Sequence, residues 1–191
     1  MDTTAREARH TDGGQAADAG RRTARDRALY ERLARRFYAG VHNYLCWISR
    51  DTALAEDLTQ ETFMRVWQNL PEVRSERAVK VWVYRVARNQ YLQHRRQGGL
   101  KTVALEDCAE AADTRTPGPE LALERRDLCQ AVRAAVDELP DACREVIVLH
   151  NLEGFPLAQV ADVLQVPTGT VKSRRGRAFQ MLRELLQEVA R

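Results

Sequence analysis

The stretch "PTGTVKSRRGRAFQML", Pro167 to Leu182, decides how this chain is read. It carries Lys172, Arg174, Arg175 and Arg177 and no acidic residue. Val171, Ala178 and Leu182, followed by Leu185 and Val189, recur at the spacing of one helix face. The pattern predicts a helix with one dry stripe and a cationic first half. Just before it, Leu157, Val160, Ala161 and Leu164 predict a short helix. "QVPT" then reads as a turn, with Thr168 as the N-cap of the next helix. A short helix, a tight turn and a cationic helix make a helix-turn-helix pattern. Arginines there can fork onto guanine, and Lys and Ser suit phosphate.

Upstream, other helices follow from the same periodicity. Leu29, Leu33, Phe37, Val41, Tyr44 and Ile48 make one amphipathic helix. Asp51 or Thr52 can cap a second, whose stripe is Leu54, Leu58, Phe63, Val66, Trp67 and Leu70, up to Pro71. Ser75 can cap a third, "ERAVKVWVYRVARNQYLQHRRQ", which stops at Gly98-Gly99. Beyond Pro119, Leu121, Leu128, Val132, Ala135 and Leu139 line a stripe that runs to Pro140. Val146, Ile147 and Leu149 mark the helix after it, which Gly154 breaks. No strand alternation is present. The fold class expected is all-α: two small helical domains joined by a flexible acidic linker, the second a four-helix domain with a C-terminal helix-turn-helix. The boundaries are a disordered tail at 1–27, a first domain at 28–97, the linker at 98–118 and a second domain at 119–191.

Composition narrows the function classes. The chain has 191 residues, 30 Lys+Arg against 27 Asp+Glu, and 44% hydrophobic residues. A net charge of +3 alone does not argue for a nucleic-acid partner; its distribution must. Two acid-free basic stretches stand out. One is the opening segment. The other, Lys80 to Arg96, interleaves Lys80, Arg85, Arg88, Arg95 and Arg96 with Trp82, Tyr84 and Tyr91. Cations beside aromatics suit single-stranded DNA, because every base has a face to stack on. The competing reading puts these rings in the core, and at least one of the three is expected to be buried. No apolar run is long enough for a membrane span and no secretory h-region precedes the first helix, so a cytoplasmic protein is expected. No nucleophile motif, phosphate loop or pair of catalytic carboxylates stands out, and no enzyme or cofactor is expected. His42 with Cys46, and Cys143 with His150, are pairs where a structural zinc site needs about four ligands, so no metal is expected either. An ordinary helix-turn-helix regulator would bind duplex alone as a dimer, but leaves the aromatic basic helix unexplained. No dimerisation heptad is evident, and a monomer is expected outside complexes.

One basic helix suited to duplex and another suited to an unpaired strand, in one chain, fit a promoter-opening factor. From Ala28 to Leu186 the chain resembles the extracytoplasmic-function group of the sigma-70 family. "AEDLTQETFMRVW" is similar to the family's region 2.2, and "VWVYRVARNQYLQHRR" to regions 2.3 and 2.4. "LPDACREVIVLHNLEGFPLAQVADVL" resembles region 4.1 and the start of 4.2, and "VPTGTVKSRRGRA" the recognition helix of 4.2. The resemblance implies a non-catalytic subunit that directs core RNA polymerase to promoter DNA. It implies polymerase contacts at Asp57, Leu58, Gln60, Glu61 and Arg65. It implies −10 contacts at Arg74, Lys80, Trp82, Tyr84, Arg85, Arg88 and Asn89, and −35 contacts at Thr168, Thr170, Lys172, Ser173, Arg174, Arg175 and Arg177. Many members are held inactive by an anti-sigma factor, a further partner the resemblance implies. Pro156, Gln159, Gln165 and Arg175 depart from the usual residues, and Gln165 stands where a left-handed turn favours Gly.

Overall fold

The computed structural model describes the backbone of residues 8–70, 76–98 and 119–189, and side chains over most of that span. Among the described residues seven α-helices follow in order: α1 (Ala8–Ser49), α2 (Thr52–Gln68), α3 (Glu76–Arg96), α4 (Pro119–Asp137), α5 (Asp141–Ile147), α6 (Leu157–Leu164) and α7 (Thr168–Val189). A π-helical turn, Val148–Leu152, continues α5. Among the described residues there is no strand, as an all-α fold requires. Arg74, Ser75, Pro71 and the linker from residue 99 to 118 lie outside the described residues.

Local chemistry explains most of the boundaries. Asp51 caps α2 by accepting the Leu54 amide at 3.0 Å. Buried Thr59 and Thr62 return their hydroxyls to the carbonyls of Ala55 and Leu58, so neither leaves an unmet donor in the core. α1 ends in Arg50 at φ 58. Its start differs from expectation. The helix reaches back to Ala8, through a segment expected to be a disordered tail. That segment is rich in Ala and Arg, which are strong helix formers.

The helix-turn-helix forms with one shift of register. The Val171 amide donates to the Pro167 carbonyl at 3.3 Å, so Pro167 holds the cap position and Thr168 lies one residue inside α7. α6 ends in Gln165 at φ 55, ψ 46, the left-handed conformation expected at this position.

Burial corrects several apolar assignments. Trp67, Leu128 and Val132 are exposed, although each falls on an apolar stripe in sequence. Val136, in place of Val132, joins Leu139, Cys143, Ile147 and Ala178 in a small cluster. The main core is continuous across both halves of the chain. Leu45 and Val41 of α1, Val66 of α2 and Val83 and Tyr84 of α3 share it with Leu149, Phe155, Val160 and Leu164.

Arg144 is 1% exposed and unanticipated by any pattern. Its guanidinium donates to the carbonyls of Val136, Asp137 and Leu139 and to Asp141 Oδ1. These carbonyls cluster at the C-terminal end of α4, where carbonyls lack intrahelical donors and the dipole is negative. Arg50 of α1 also donates to the Asp137 carbonyl, tying the first half of the chain to the same helix end.

A left-handed Gln costs roughly 1 kcal/mol relative to Gly. Gln165→Gly is therefore expected to raise the unfolding free energy by about that amount in urea titration. A loss of stability would mean that the Gln165 side chain contributes more than its backbone costs.

Candidate nucleic-acid interface

Two basic helices were expected to meet nucleic acid, and the structure treats them differently. On α7, Thr168, Lys172, Ser173 and Arg177 are exposed, and Thr170, Arg174 and Arg175 are half-buried. Val171 and Ala178 are fully buried and hold the opposite face of α7 in the protein. Lys172 and Arg177 have no hydrogen bond or ion pair among the described residues. Ser173 donates to the Thr170 carbonyl at 3.0 Å. Arg175 lies over the Phe179 ring, 5.0 Å from its centroid, so its stem and ring fill the place an apolar residue would take.

On α3 the cations are already engaged. Lys80 Nζ donates to the Glu153 carbonyl at 2.7 Å and sits 4.1 Å from the Phe155 ring centroid. Arg85 donates twice to the Asp162 carbonyl, at 3.1 and 2.8 Å, in the last turn of α6. Arg88 pairs with Glu145 at 3.2 Å, and Arg95 with Asp141 at 2.8 Å. These contacts are unequal. The Arg88 and Glu145 side chains are 15% and 9% exposed, and removing one partner of such a buried pair costs about 3–5 kcal/mol. Arg95 and Asp141 are far more exposed, and a pair of that kind contributes only about 0–1 kcal/mol.

The three rings of α3 also divide. Tyr84 and Tyr91 are buried, while Trp82 is half-buried. Tyr84 packs edge-on against Phe155 with centroids 4.8 Å apart, and its hydroxyl donates to Glu153 Oε2 at 2.5 Å. Of the residues expected to meet the −10 strand, Trp82 and Asn89 thus remain at the surface of α3, and Tyr84 is inside. Arg74 lies outside the described residues.

The expected polymerase-binding face lies on α2. Asp57, Gln60, Glu61 and Arg65 are exposed, and Leu58 is buried behind them. Gln90 of α3 donates to Glu61 Oε2 at 2.9 Å and fixes that carboxylate at the mouth of a groove between α2 and α3. Beside it lies an apolar patch not anticipated from sequence. Trp67 meets Tyr30 edge-on at 5.3 Å, and Met64 is 58% exposed. The signal was present. Met64 is off the buried positions Leu58, Thr62 and Val66, and a large apolar residue on the wet side of an amphipathic helix is informative.

Burial shifts the carboxyls between the two halves. Glu145 stands above its ordinary value, first because burial disfavours its charge, with Arg88 pulling it back. Glu153 is raised by burial against the opposing Tyr84 hydrogen bond and Lys80. Asp137 is raised by burial against Arg50 and Arg133. Elsewhere, Cys46 Sγ lies 3.8 Å from the His42 ring, and among the described residues no three potential metal ligands gather. Among the described residues, no helix is long and apolar enough to cross a membrane.

Comparison with known proteins assigns both halves. Residues 29–100 match Sigma-70 region 2, and residues 129–182 match Sigma-70, region 4. The ECF RNA polymerase sigma factor SigL of Mycobacterium tuberculosis is 35% identical over 167 residues, covering 85% of this chain and 89% of SigL. The ECF RNA polymerase sigma factor SigE of Mycolicibacterium smegmatis is 32% identical over 158 residues, and the chain spans 61% of that longer relative. The solved complex of the sigma factor RpoE with the anti-sigma factor NepR from Bartonella quintana gives a TM-score of 0.64 at 25% identity. That match covers 83% of this chain and 96% of RpoE.

A carboxyl raised in the folded state takes up its proton before the unfolded chain does. Its contribution to stability therefore grows as pH falls through the raised value, and is absent above it. Glu153→Gln removes one such group without changing its shape. On going from pH 7.5 to 5.5, the variant is expected to gain less stability in urea titration than the wild type. An equal gain in both would show that Glu153 does not titrate in this window.

Proposed function

The chain belongs to the extracytoplasmic-function group of the sigma-70 family, and on that footing we propose how its surfaces divide the work of initiation. It is a non-enzymatic factor that directs RNA polymerase to promoters. The first domain, 28–97, docks on core polymerase through Asp57, Gln60, Glu61 and Arg65 of α2, with Leu58 backing them from the core. Trp67 and Met64 extend that face as apolar anchors, since exposed aromatics suit interface cores.

The helix α3 holds the melted −10 strand. Trp82 offers a face for a base, and Lys80, Arg85 and Arg88 meet phosphates, with Asn89 and Arg74 beside them. Unstacking a base costs a few kcal/mol, which stacking and charge contacts offset. The second domain, 119–191, sets α7 into the major groove of the −35 duplex. Thr168, Thr170, Lys172, Ser173, Arg174, Arg175 and Arg177 supply its contacts, Lys172 and Arg177 foremost. The linker, 98–118, spans the two domains in the holoenzyme. The protein works in the cytoplasm, in a stress or environmental response, with an anti-sigma factor as its antagonist.

One observation carries the reading. A helix-turn-helix whose second helix leaves Lys172 and Arg177 unpaired at the surface shares a chain with an aromatic basic helix. A stand-alone duplex reader has no use for the second.

Asp57→Arg with Glu61→Arg is expected to abolish co-elution with core polymerase while circular dichroism stays unchanged. Retained co-elution would remove α2 from the docking face. In holoenzyme, Lys172→Ala or Arg177→Ala is expected to weaken promoter binding and flatten its salt dependence by about one unit per lost phosphate contact. An unchanged slope would remove that residue from the phosphate contacts.

A further inference from the structure

We infer that the outer face of α1 is a third nucleic-acid surface: Arg25, Arg32, Arg35 and Arg36 hold the phosphates of the unpaired strand where it passes beyond α3. The inference rests on the reading of α3 as the strand-binding helix.

The surface is made of one residue type. From residue 21 to 36 the sequence "RRTARDRALYERLARR" has seven arginines, two acids and no lysine. An α-helix turns about 100° and rises about 1.5 Å per residue. Arg25, Arg32, Arg35 and Arg36 therefore share about 100° of the circumference of α1 and span about 16 Å along it. All four are exposed, and the buried positions Leu33, Phe37 and Val41 lie on another side of the helix. Arg25 and Arg32 have no hydrogen bond or ion pair among the described residues. Arg35 shares Glu31 with Arg27, at 3.6 and 3.2 Å, and both arginines stay largely in solvent. Exposed pairs of that kind contribute little and can be exchanged for another anion. A face kept for solubility alone would mix the two signs. Here Arg32 stands three and four residues before Arg35 and Arg36, a spacing at which like charges destabilise a helix. An anion from outside relieves that repulsion.

The face leads to the strand site. Arg36 lines a cleft of about 750 Å³ between α1 and the start of α3, together with Arg77 and Lys80. Glu153 is the one acid in that lining. Cations thus follow in series from Lys80 of α3 through Arg36 to Arg35, Arg32 and Arg25 of α1. Arg25 stands upstream of every buried residue described, on a part of the helix that the core does not explain.

The side chains select the partner. A guanidinium forks onto two oxygens of one phosphate. The tyrosines of this part of α1 point elsewhere, Tyr30 against Trp67 and Tyr38 against Phe63. With no ring on the arginine face, bases are not stacked there and the grip is on the backbone, whatever the sequence. A lipid surface does not fit. A helix lying in a membrane needs an apolar side, and residues 8–27 contain no bulky apolar residue.

The test uses holoenzyme reconstituted with the full chain. The first probe is a promoter duplex whose non-template strand is unpaired over the −10 element alone. Two longer probes are also unpaired for a few nucleotides to one side or the other, and a control carries both flanks as duplex. Arg25→Gln with Arg32→Gln and Arg35→Gln removes three charges. Arg25→Lys with Arg32→Lys and Arg35→Lys keeps them.

The glutamine variant is expected to retain its helicity, its co-elution with core and its affinity for the first probe. On one of the longer unpaired probes it is expected to bind about tenfold more weakly than the wild type. Its salt dependence there should be flatter by about two units, for three contacts at roughly 0.7 each. The lysine variant is expected to keep most of the affinity. Equal binding of the glutamine variant and the wild type to every probe overturns the inference. A loss confined to duplex flanks also overturns it, giving the face to duplex, and so does a loss of co-elution, giving it to polymerase. If wild-type holoenzyme binds the first probe no better than fully paired duplex, the reading of α3 fails instead.

Discussion

The Tyr84 ring joins the two halves of this protein. It is 1% exposed, lies 5.6 Å from Tyr44 of α1 and 4.8 Å from Phe155, and sends its hydroxyl to Glu153. Through it, two sets of helices that could each have formed a small core share one. The consequence is electrostatic as well as apolar. Bringing α3 against α5, the π-turn and α6 sets Lys80, Arg85 and Arg88 beside oxygens, and for Arg88, 15% exposed, an unmet charge would be costly. Their partners are acids and helix-end carbonyls of the second half.

Periodicity made the helices legible. Leu33, Phe37, Val41, Tyr44 and Ile48 alternate at three and four residues, and all are buried in α1. The turn before α7 was legible for a similar local reason: "QVPT" separates two stripes, and Gln165 adopts the left-handed conformation expected there. What local reading missed depends on distant partners. Arg144 reads as a surface cation until the C-terminal carbonyls of α4 come round to it. Trp67 reads as core until its stripe is seen to close over Phe63 and Val66 without it. The α3 cations are matched by residues 46 to 77 positions later, and no spacing rule reaches so far.

The candidate surfaces divide along the same line. The acids of α2 and Lys172 and Arg177 of α7 are exposed, where a sequence pattern alone would put them. The aromatic basic helix is the exception. Its composition announces contact with unpaired bases, but in the folded chain its cations hold the protein together. On the proposed reading, the oxygens that α3 meets within the chain stand where phosphates of a strand would be.

The most direct measurement is permanganate footprinting of a promoter duplex with this chain, with core polymerase, and with both. Thymines around the −10 element are expected to react only when both are present. The account is contradicted if the chain alone binds the promoter tightly and specifically at physiological salt while no thymine opens with core polymerase added.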